Sequence, residues 1–119
     1  MPGGGVIIDL PWPHKSLSPN ARVHWAEKAR QTKKAREWAQ WVSCSYGPIE
    51  ATELKVTVTF NPPTKRYRDA DNLIASCKAY FDGIADSLEV NDHKFRMQPP
   101  VIGGVMQGGN VRFEIEVPA

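Results

Sequence analysis

The residue types and spacing best suited to chemistry fall in one charged segment, Lys65-Arg66-Tyr67-Arg68-Asp69-Ala70-Asp71-Asn72. On an extended backbone, residues two apart project to the same side, so the carboxylates of Asp69 and Asp71 would point together. Two adjacent carboxylates repel each other unless a cation lies between them. Oxygen ligands with the remaining positions open to water and phosphate suit Mg²⁺. The pair therefore predicts a magnesium site, with the alternative that both aspartates only cap and begin a helix.

Basic residues precede this pair and a third acid follows it. Lys65, Arg66 and Arg68 are placed to contact phosphates, and Asp92 comes after the next helix. If that helix packs back on the sheet, Asp92 can return to the same end of the domain as the first two aspartates. A Mg²⁺ ion in such a site lowers the pKa of a bound water and polarises a phosphodiester. A nucleotide-sugar site of the Asp-x-Asp type is the other hypothesis, but such enzymes need a much larger domain.

Charge is distributed unevenly along the chain, although the net charge is only +2. The first 45 residues contain three acids and seven basic residues, namely Lys15, Arg22, Lys28, Arg30, Lys33, Lys34 and Arg36. A basic face beside an acidic cluster suits a polyanionic substrate held next to a cation. Arg30, Lys33 and Lys34 are thus candidate DNA contacts, with an ordinary solvated helix surface as the equally weighted alternative.

Size and composition limit the class of protein. The 119 residues fit one domain, 1–119, and 41% apolar with 24% charged residues is ordinary for a soluble protein. No apolar run approaches the roughly 20 residues of a membrane span, and Met-Pro-Gly-Gly-Gly does not resemble a signal peptide. Cys44 and Cys77 have no paired spacing. We therefore expect a cytoplasmic protein with reduced cysteines and no membrane partner.

Hydrophobic periodicity predicts the elements that position these residues. Strands are expected at 6–10, 54–60, 95–106 and 111–117, because apolar residues alternate with polar ones or end at prolines. Helices are expected at 21–42 and from the Asp69/Asp71 cap to residue 88. This order, β-α-β-α-β-β, predicts an α+β fold: a small mixed sheet of about four strands with two helices packed on one face.

Four tryptophans are also of interest, because aromatic rings stack on unpaired bases. For Trp25 and Trp38, which fall on the apolar side of the first helix, a core role is favoured. Trp12 lies between two prolines and is the better candidate for a substrate or dimer contact.

Several of these motifs together resemble the RusA-like crossover junction endodeoxyribonucleases. The likeness comprises Arg68-Asp69-Ala70-Asp71-Asn72-Leu73, then Phe81-Asp82-Gly83-Ile84 and Val90-Asn91-Asp92, preceded by Leu10-Pro11-Trp12-Pro13 and Ser18-Pro19-Asn20. It covers nearly the whole chain in order. Members of that family are small homodimers that resolve Holliday (four-way) junctions with Mg²⁺, for which Mn²⁺ is an expected substitute.

The resemblance implies particular roles for residues of this chain. Asp69, Asp71 and Asp92 correspond to the catalytic, metal-binding triad, and Asn20 and Arg22 fall in a loop near the site. The family's functional lysine stands four residues beyond the second aspartate, where this chain has Ala75. Lys78 lies seven beyond, on about the same face of a continuous helix, and is expected to replace that lysine, with Lys65, Arg66 or Arg68 as the alternative for its phosphate-facing role. The alternatives are a nuclease acting on other branched or single-stranded DNA and a catalytically idle protein that binds branched DNA.

Overall fold

The computed structural model describes residues 5–117, so most of the Met-Pro-Gly-Gly-Gly start lies outside the described residues. Strand β1 (Gly5–Leu10) is followed by helix α1 (Trp25–Ser43) and strand β2 (Leu54–Asn61). Helices α2 (Ala70–Ser76) and α3 (Lys78–Leu88) lead to strands β3 (Phe95–Met97), β4 (Val101–Ile102) and β5 (Asn110–Glu116). The predicted α+β fold is confirmed, with five strands instead of about four and three α-helices instead of two.

One mixed sheet contains all five strands, in the order β1-β5-β2-β3, with β4 also paired to β2. β5 is antiparallel to β1 and to β2, whereas β3 and β4 run parallel to β2 along its other edge. The sequence predicted one strand over residues 95–106. Pro99 and Pro100 fall between β3 and β4 and divide it, because proline has no N–H for a strand ladder.

The core lies on one face of this sheet. β2 buries Leu54, Val56, Val58 and Phe60, and the side chains between them point to the opposite, wetter face. α1 and α3 cover the buried face and add further apolar side chains to it, including Ala35, Ala39, Tyr80, Ile84 and Leu88. The described elements therefore share a single core.

The sheet has two ends, the Phe60 end and the Leu54 end. At the Phe60 end, Val111 pairs with both Leu10 and Phe60, so β1 and β2 finish there. At the Leu54 end, Phe95 pairs with Leu54. α3 runs from the first end to the second. The hydroxyl of Tyr80 donates to the carbonyl of Pro11 at 2.8 Å, and the carbonyl of Leu88 accepts from the amide of Ile49 at 3.0 Å.

The second predicted helix is interrupted. Cys77, with φ −97° and ψ 6°, separates α2 from α3, so the expectation of one continuous helix is wrong. No glycine or proline marks the break. The hydroxyl of Ser76 donates to the carbonyl of Asn72 at 2.8 Å, a side-chain contact that bends helices.

α1 begins four residues later than expected, with His24 capping its first turn through Nδ1. Trp25 is 76% exposed and Trp38 is 48% exposed, so the core role expected for them is wrong. The helix buries only small residues, Ala35, Ala39 and Ser43. Small residues are required there because α1 crosses α3 closely at Gly83, where a bulkier side chain would push the helices apart.

None of the helices within residues 5–117 has the combination of length and apolarity needed to cross a membrane.

We predict that Gly83→Ala destabilises the protein by on the order of 1–2 kcal/mol net, because the added Cβ would overlap the backbone carbonyl of Arg36 and overpacking costs up to about 3 kcal/mol. A Cβ at this position would lie 2.9 Å from the Cβ of Ala39 and 3.0 Å from the amide nitrogen of Gln40. The higher helix propensity of alanine, worth about 1 kcal/mol, opposes this effect and is too small to reverse it. Chemical denaturation measures the difference.

Gly104→Ala is the matched control, because no atom lies within 4 Å of its added Cβ. If Gly83→Ala were as stable as the parent protein, the close crossing of α1 and α3 would not be a rigid contact.

Candidate functional site

An open cavity of about 490 Å³ lies at the Phe60 end of the sheet. β1 and β2 are both antiparallel to β5, so they end on the same side and the loops that follow them meet. The loop after β1 contributes His14 and Lys15, and the loop after β2 contributes Arg66, Arg68 and Asp69. The cavity thus brings one carboxylate together with three cationic side chains.

Asp69 caps α2. Its Oδ1 accepts from the amide of Asp71 at 2.9 Å and from the amide of Asn72 at 3.2 Å. Capping therefore explains this residue in part, as the alternative hypothesis held. Among the hydrogen bonds within residues 5–117, Oδ2 of Asp69 takes no part, and Asp71 lies exposed in the first helical turn. The extended backbone expected from Asp69 to Asp71 is not found, because α2 begins at Ala70, and Asp71 does not line the cavity that contains Asp69.

Asp92 is not brought to this pair, so the expectation that it returns to the same end of the chain's own domain is wrong. It begins a 3-10 turn, Asp92–Lys94, that leads directly into β3 at the Leu54 end. The 11 residues of α3 carry the chain away from the Phe60 end by about 16 Å at 1.5 Å per residue. Within residues 5–117, no group of three or more His, Cys, Asp or Glu side chains could hold a metal ion.

The basic residues before Asp69 differ in what they contact. Arg68 donates to the carbonyl of Thr64 at 2.8 Å and to its hydroxyl at 2.9 Å, and its guanidinium lies 5.3 Å from the centre of the Trp12 ring. Desolvation, and then the charge of Arg66, lower the pKa of Arg68. Arg68 therefore holds the loop in shape, whereas Arg66 lines the cavity and Lys65 is exposed beside it.

The motif after β1 supplies residues that sequence reasoning did not select. Nδ1 of His14 accepts from the amide of Ser16 at 3.1 Å, which caps the short turn that contains Lys15. Tyr67 is 90% exposed at the rim of the same cavity. Only the direct succession of His14 and Lys15 after Pro11-Trp12-Pro13 could have indicated these two residues.

Lys78 faces another cavity. Its Nζ lies 3.1 Å from Oδ1 of Asp82, and both side chains line a separate hollow of about 310 Å³ together with Ala75 and Lys28. Ala75 and Lys78 thus still share a face across the break at Cys77, but Asp69 does not line this hollow and Lys78 does not line the cavity of Asp69. The structure therefore does not bring Lys78 to Asp69.

The remaining predicted DNA contacts are exposed. Arg30 pairs with Glu27, and Lys33 lies 3.9 Å from Glu37, as on an ordinary solvated helix surface. Lys34 lines a cavity next to the first one. Asn20 and Arg22 lie exposed in the loop before α1 and line none of the three cavities.

Comparison with known proteins identifies a similar protein, whose activity is not characterized. No protein-family model matches the chain. An uncharacterized protein of Xylella fastidiosa (strain Temecula1 / ATCC 700964) is 40% identical over 110 residues, which are 87% of this chain and 71% of that protein.

We predict that Asp69→Ala lowers the free energy of unfolding by about 0.5–2 kcal/mol, because two amides at the start of α2 lose their acceptor. Asp69→Asn keeps an oxygen in the same place and should cost much less, since asparagine is an equally good N-cap. Thermal denaturation of both variants checks this. Equal stability of the two variants would mean that the cap contributes nothing.

Proposed function

The chain belongs to the same family as the uncharacterized Xylella fastidiosa protein, and we propose that it is a magnesium-dependent endonuclease of branched DNA. Its substrate would be a four-way junction, cut by paired, symmetric nicks. The single observation that carries this proposal is the open cavity in which Asp69 lies among Lys15, Arg66 and Arg68. Carboxylates suit a hard cation, and the surrounding cations suit the phosphates that such a cation would share.

Asp69, through Oδ2, and Asp71 would hold the ion, since Mg²⁺ needs only one or two carboxylates when water and phosphate complete its shell. When bound, Mg²⁺ or its substitute Mn²⁺ supplies a water of lowered pKa and a polarised phosphate. Arg66 and Lys15 would contact the scissile phosphate and its neighbour. Their charges offset the charge that develops in the transition state. Arg68 would keep Arg66 and Asp69 in position through its contacts with Thr64 and Trp12.

The basic residues farther from the cavity would bind the arms of the junction. Lys28 lies near Ala75 and Lys78, so the first half of α1 shares the Phe60 end with the aspartates. Arg22, Arg30, Lys33 and Lys34 on or before that half, together with Lys65, would contact phosphates without reading sequence. Lys78 would act from its own hollow, as one more phosphate contact beside Asp82.

The position of Asp92 leads us to propose a homodimer. Because this residue lies at the Leu54 end, a site with all three carboxylates requires Asp92 of the partner subunit. β3, β4 and the segment that follows them support an interface, since their apolar side chains are exposed: Met97, Val101, Ile102, Val105 and Met106. Exposed apolar strand edges are natural pairing surfaces. Two copies related by a two-fold axis would form two equivalent sites, as symmetric nicking requires.

The second candidate function is a catalytically idle protein that binds branched DNA. It is favoured by Ala75, which stands at the position of the RusA-like family's functional lysine, and by the pairing of Lys78 with Asp82. A nuclease of the same fold acting on other branched or single-stranded DNA is the third. Any of the three would act on DNA in the cytoplasm.

We predict that Asp71→Asn reduces junction cleavage by on the order of 10²-fold or more while binding is kept or strengthened. The amide keeps the shape but removes a ligand charge, and less negative charge repels phosphate less. The measurement is single-turnover cleavage of a synthetic four-way junction with Mg²⁺, with a linear duplex as the substrate control.

Asp86→Asn, which removes an acid paired with Arg36 away from the cavity, is the matched control. Cleavage of the junction by the parent protein and not by Asp71→Asn supports the proposal. Binding without cleavage by the parent protein favours the idle protein, and equal cleavage by both removes Asp71 from the chemistry.

We further predict that two inactive variants restore each other. Asp71→Asn and Asp92→Asn are each expected to be inactive. In a heterodimer, one site combines both substitutions and the other has Asp69 and Asp71 from one subunit and Asp92 from its partner, all intact. Heterodimers purified with two different tags should therefore nick one strand of the junction. If each site were built within one chain, the heterodimer would stay inactive.

A further inference from the structure

A second cavity of about 290 Å³ adjoins the first at the Phe60 end. Trp12 and His14 line both cavities, so they form a shared wall. The other walls include the aromatic rings of Trp38 from α1 and Tyr80 from α3, beside the apolar side chains of Pro11, Leu17 and Ala35. Neither Trp38 nor the cavity itself is used by the proposed cleavage chemistry.

Two of the aromatic walls, Trp12 and Tyr80, are held in place. The Trp12 ring packs edge-on against Phe60 with 6.1 Å between ring centres, and a Cβ at Gly109 would lie only 3.1 Å from its Cγ. The hydroxyl of Tyr80 is occupied by the carbonyl of Pro11, and burial raises its pKa, so this residue presents a neutral ring. A preformed slot loses little freedom when a flat ring enters it.

Polar groups at the rim match the edge of a nucleobase. Lys34 supplies a cationic donor. Gln31 donates through Nε2 to Glu27 at 3.1 Å, which leaves its carbonyl oxygen as an acceptor. His14 accepts from the amide of Ser16 at Nδ1, which leaves its Nε2 for a further hydrogen bond. Every base has both a donor and an acceptor on its edge, so this set accepts a base without choosing one.

We propose that this cavity holds one unstacked nucleobase of the DNA strand whose phosphate lies in the first cavity. A base hangs from the sugar next to its own phosphate, so adjoining cavities with a common wall suit one nucleotide. Base stacking on aromatic side chains is favourable and tolerant of sequence. Base pairs at a branch open more cheaply than those within a continuous duplex, because unstacking there is partly complete already. The slot therefore deepens the proposed function, on which it rests, by giving a basis for selecting branched over linear DNA.

The test compares Trp38→Leu with Trp25→Leu. Both tryptophans are exposed on α1, but Trp25 lines neither cavity. Trp38→Leu should weaken binding to a four-way junction by on the order of 10-fold, as the loss of one stacked base predicts. Its affinity for linear duplex should not change. Trp25→Leu should bind both DNAs like the parent protein, and Trp38→Phe should restore junction binding.

A junction with abasic sites at the nucleotides next to the crossover gives an independent measurement. The parent protein should lose on the order of 10-fold in affinity for it, whereas Trp38→Leu should lose nothing further. The proposal is contradicted if Trp38→Leu binds the junction normally. It is also contradicted if the affinity losses from Trp38→Leu and from the abasic sites are additive, because they would then act at different places. If the parent protein itself does not prefer the junction to the duplex, the proposed function fails first, and the slot falls with it.

Discussion

The parallel pairing of β3 and β4 with β2 is the constraint on which the other features depend. Parallel neighbours cannot be joined by a tight turn, so the chain must cross from one end of the sheet to the other between them. α2 and α3 make that crossing, and α3 packs against α1 through the contact at Gly83. The same crossing separates Asp69 and Asp71 from Asp92. The parallel direction of β3 and β4 therefore has two results. It requires α2 and α3 to cross the sheet, and it puts Asp92 at the opposite end from Asp69 and Asp71.

The two loops of the candidate site depend on a second choice of direction. β1 and β2 are not neighbours, yet both are antiparallel to the strand between them, so their final residues emerge side by side. Lys15 and Arg66 are far apart in the sequence and come from these two loops. Because these loops meet, positive charge is concentrated around the carboxylate of Asp69. Trp12 connects the two loops, since its ring packs against Phe60 and under the guanidinium of Arg68.

The sequence was sufficient wherever local geometry alone decides the outcome. Alternation in 54–60 and 111–117 predicted the two central strands, because a strand's period of two is a property of the backbone. The N-cap at Asp69 was also foreseen as an alternative, since it involves only neighbouring residues. Trp38 was misassigned because the close α1–α3 crossing beside it depends on Gly83, which is distant in the chain. No local pattern revealed the break at Cys77. The position of Asp92 required the direction in which β3 pairs, and that is a tertiary property.

The place of β5 in the sheet has a consequence for how the chain folds. β5 is the last of the described strands to be synthesised, yet it lies between β1 and β2. It pairs with both, and β1 and β2 are linked in the sheet only through it. Gly5 pairs with Glu116, so β1 has no strand partner until nearly all of the described chain has been synthesised. Contacts between residues so distant in sequence carry a large loop-closure cost and slow folding. Before β5 is made, β2 can pair only with β3 and β4, so the sheet is completed late and β1 remains a hydrophobic strand without a partner until then.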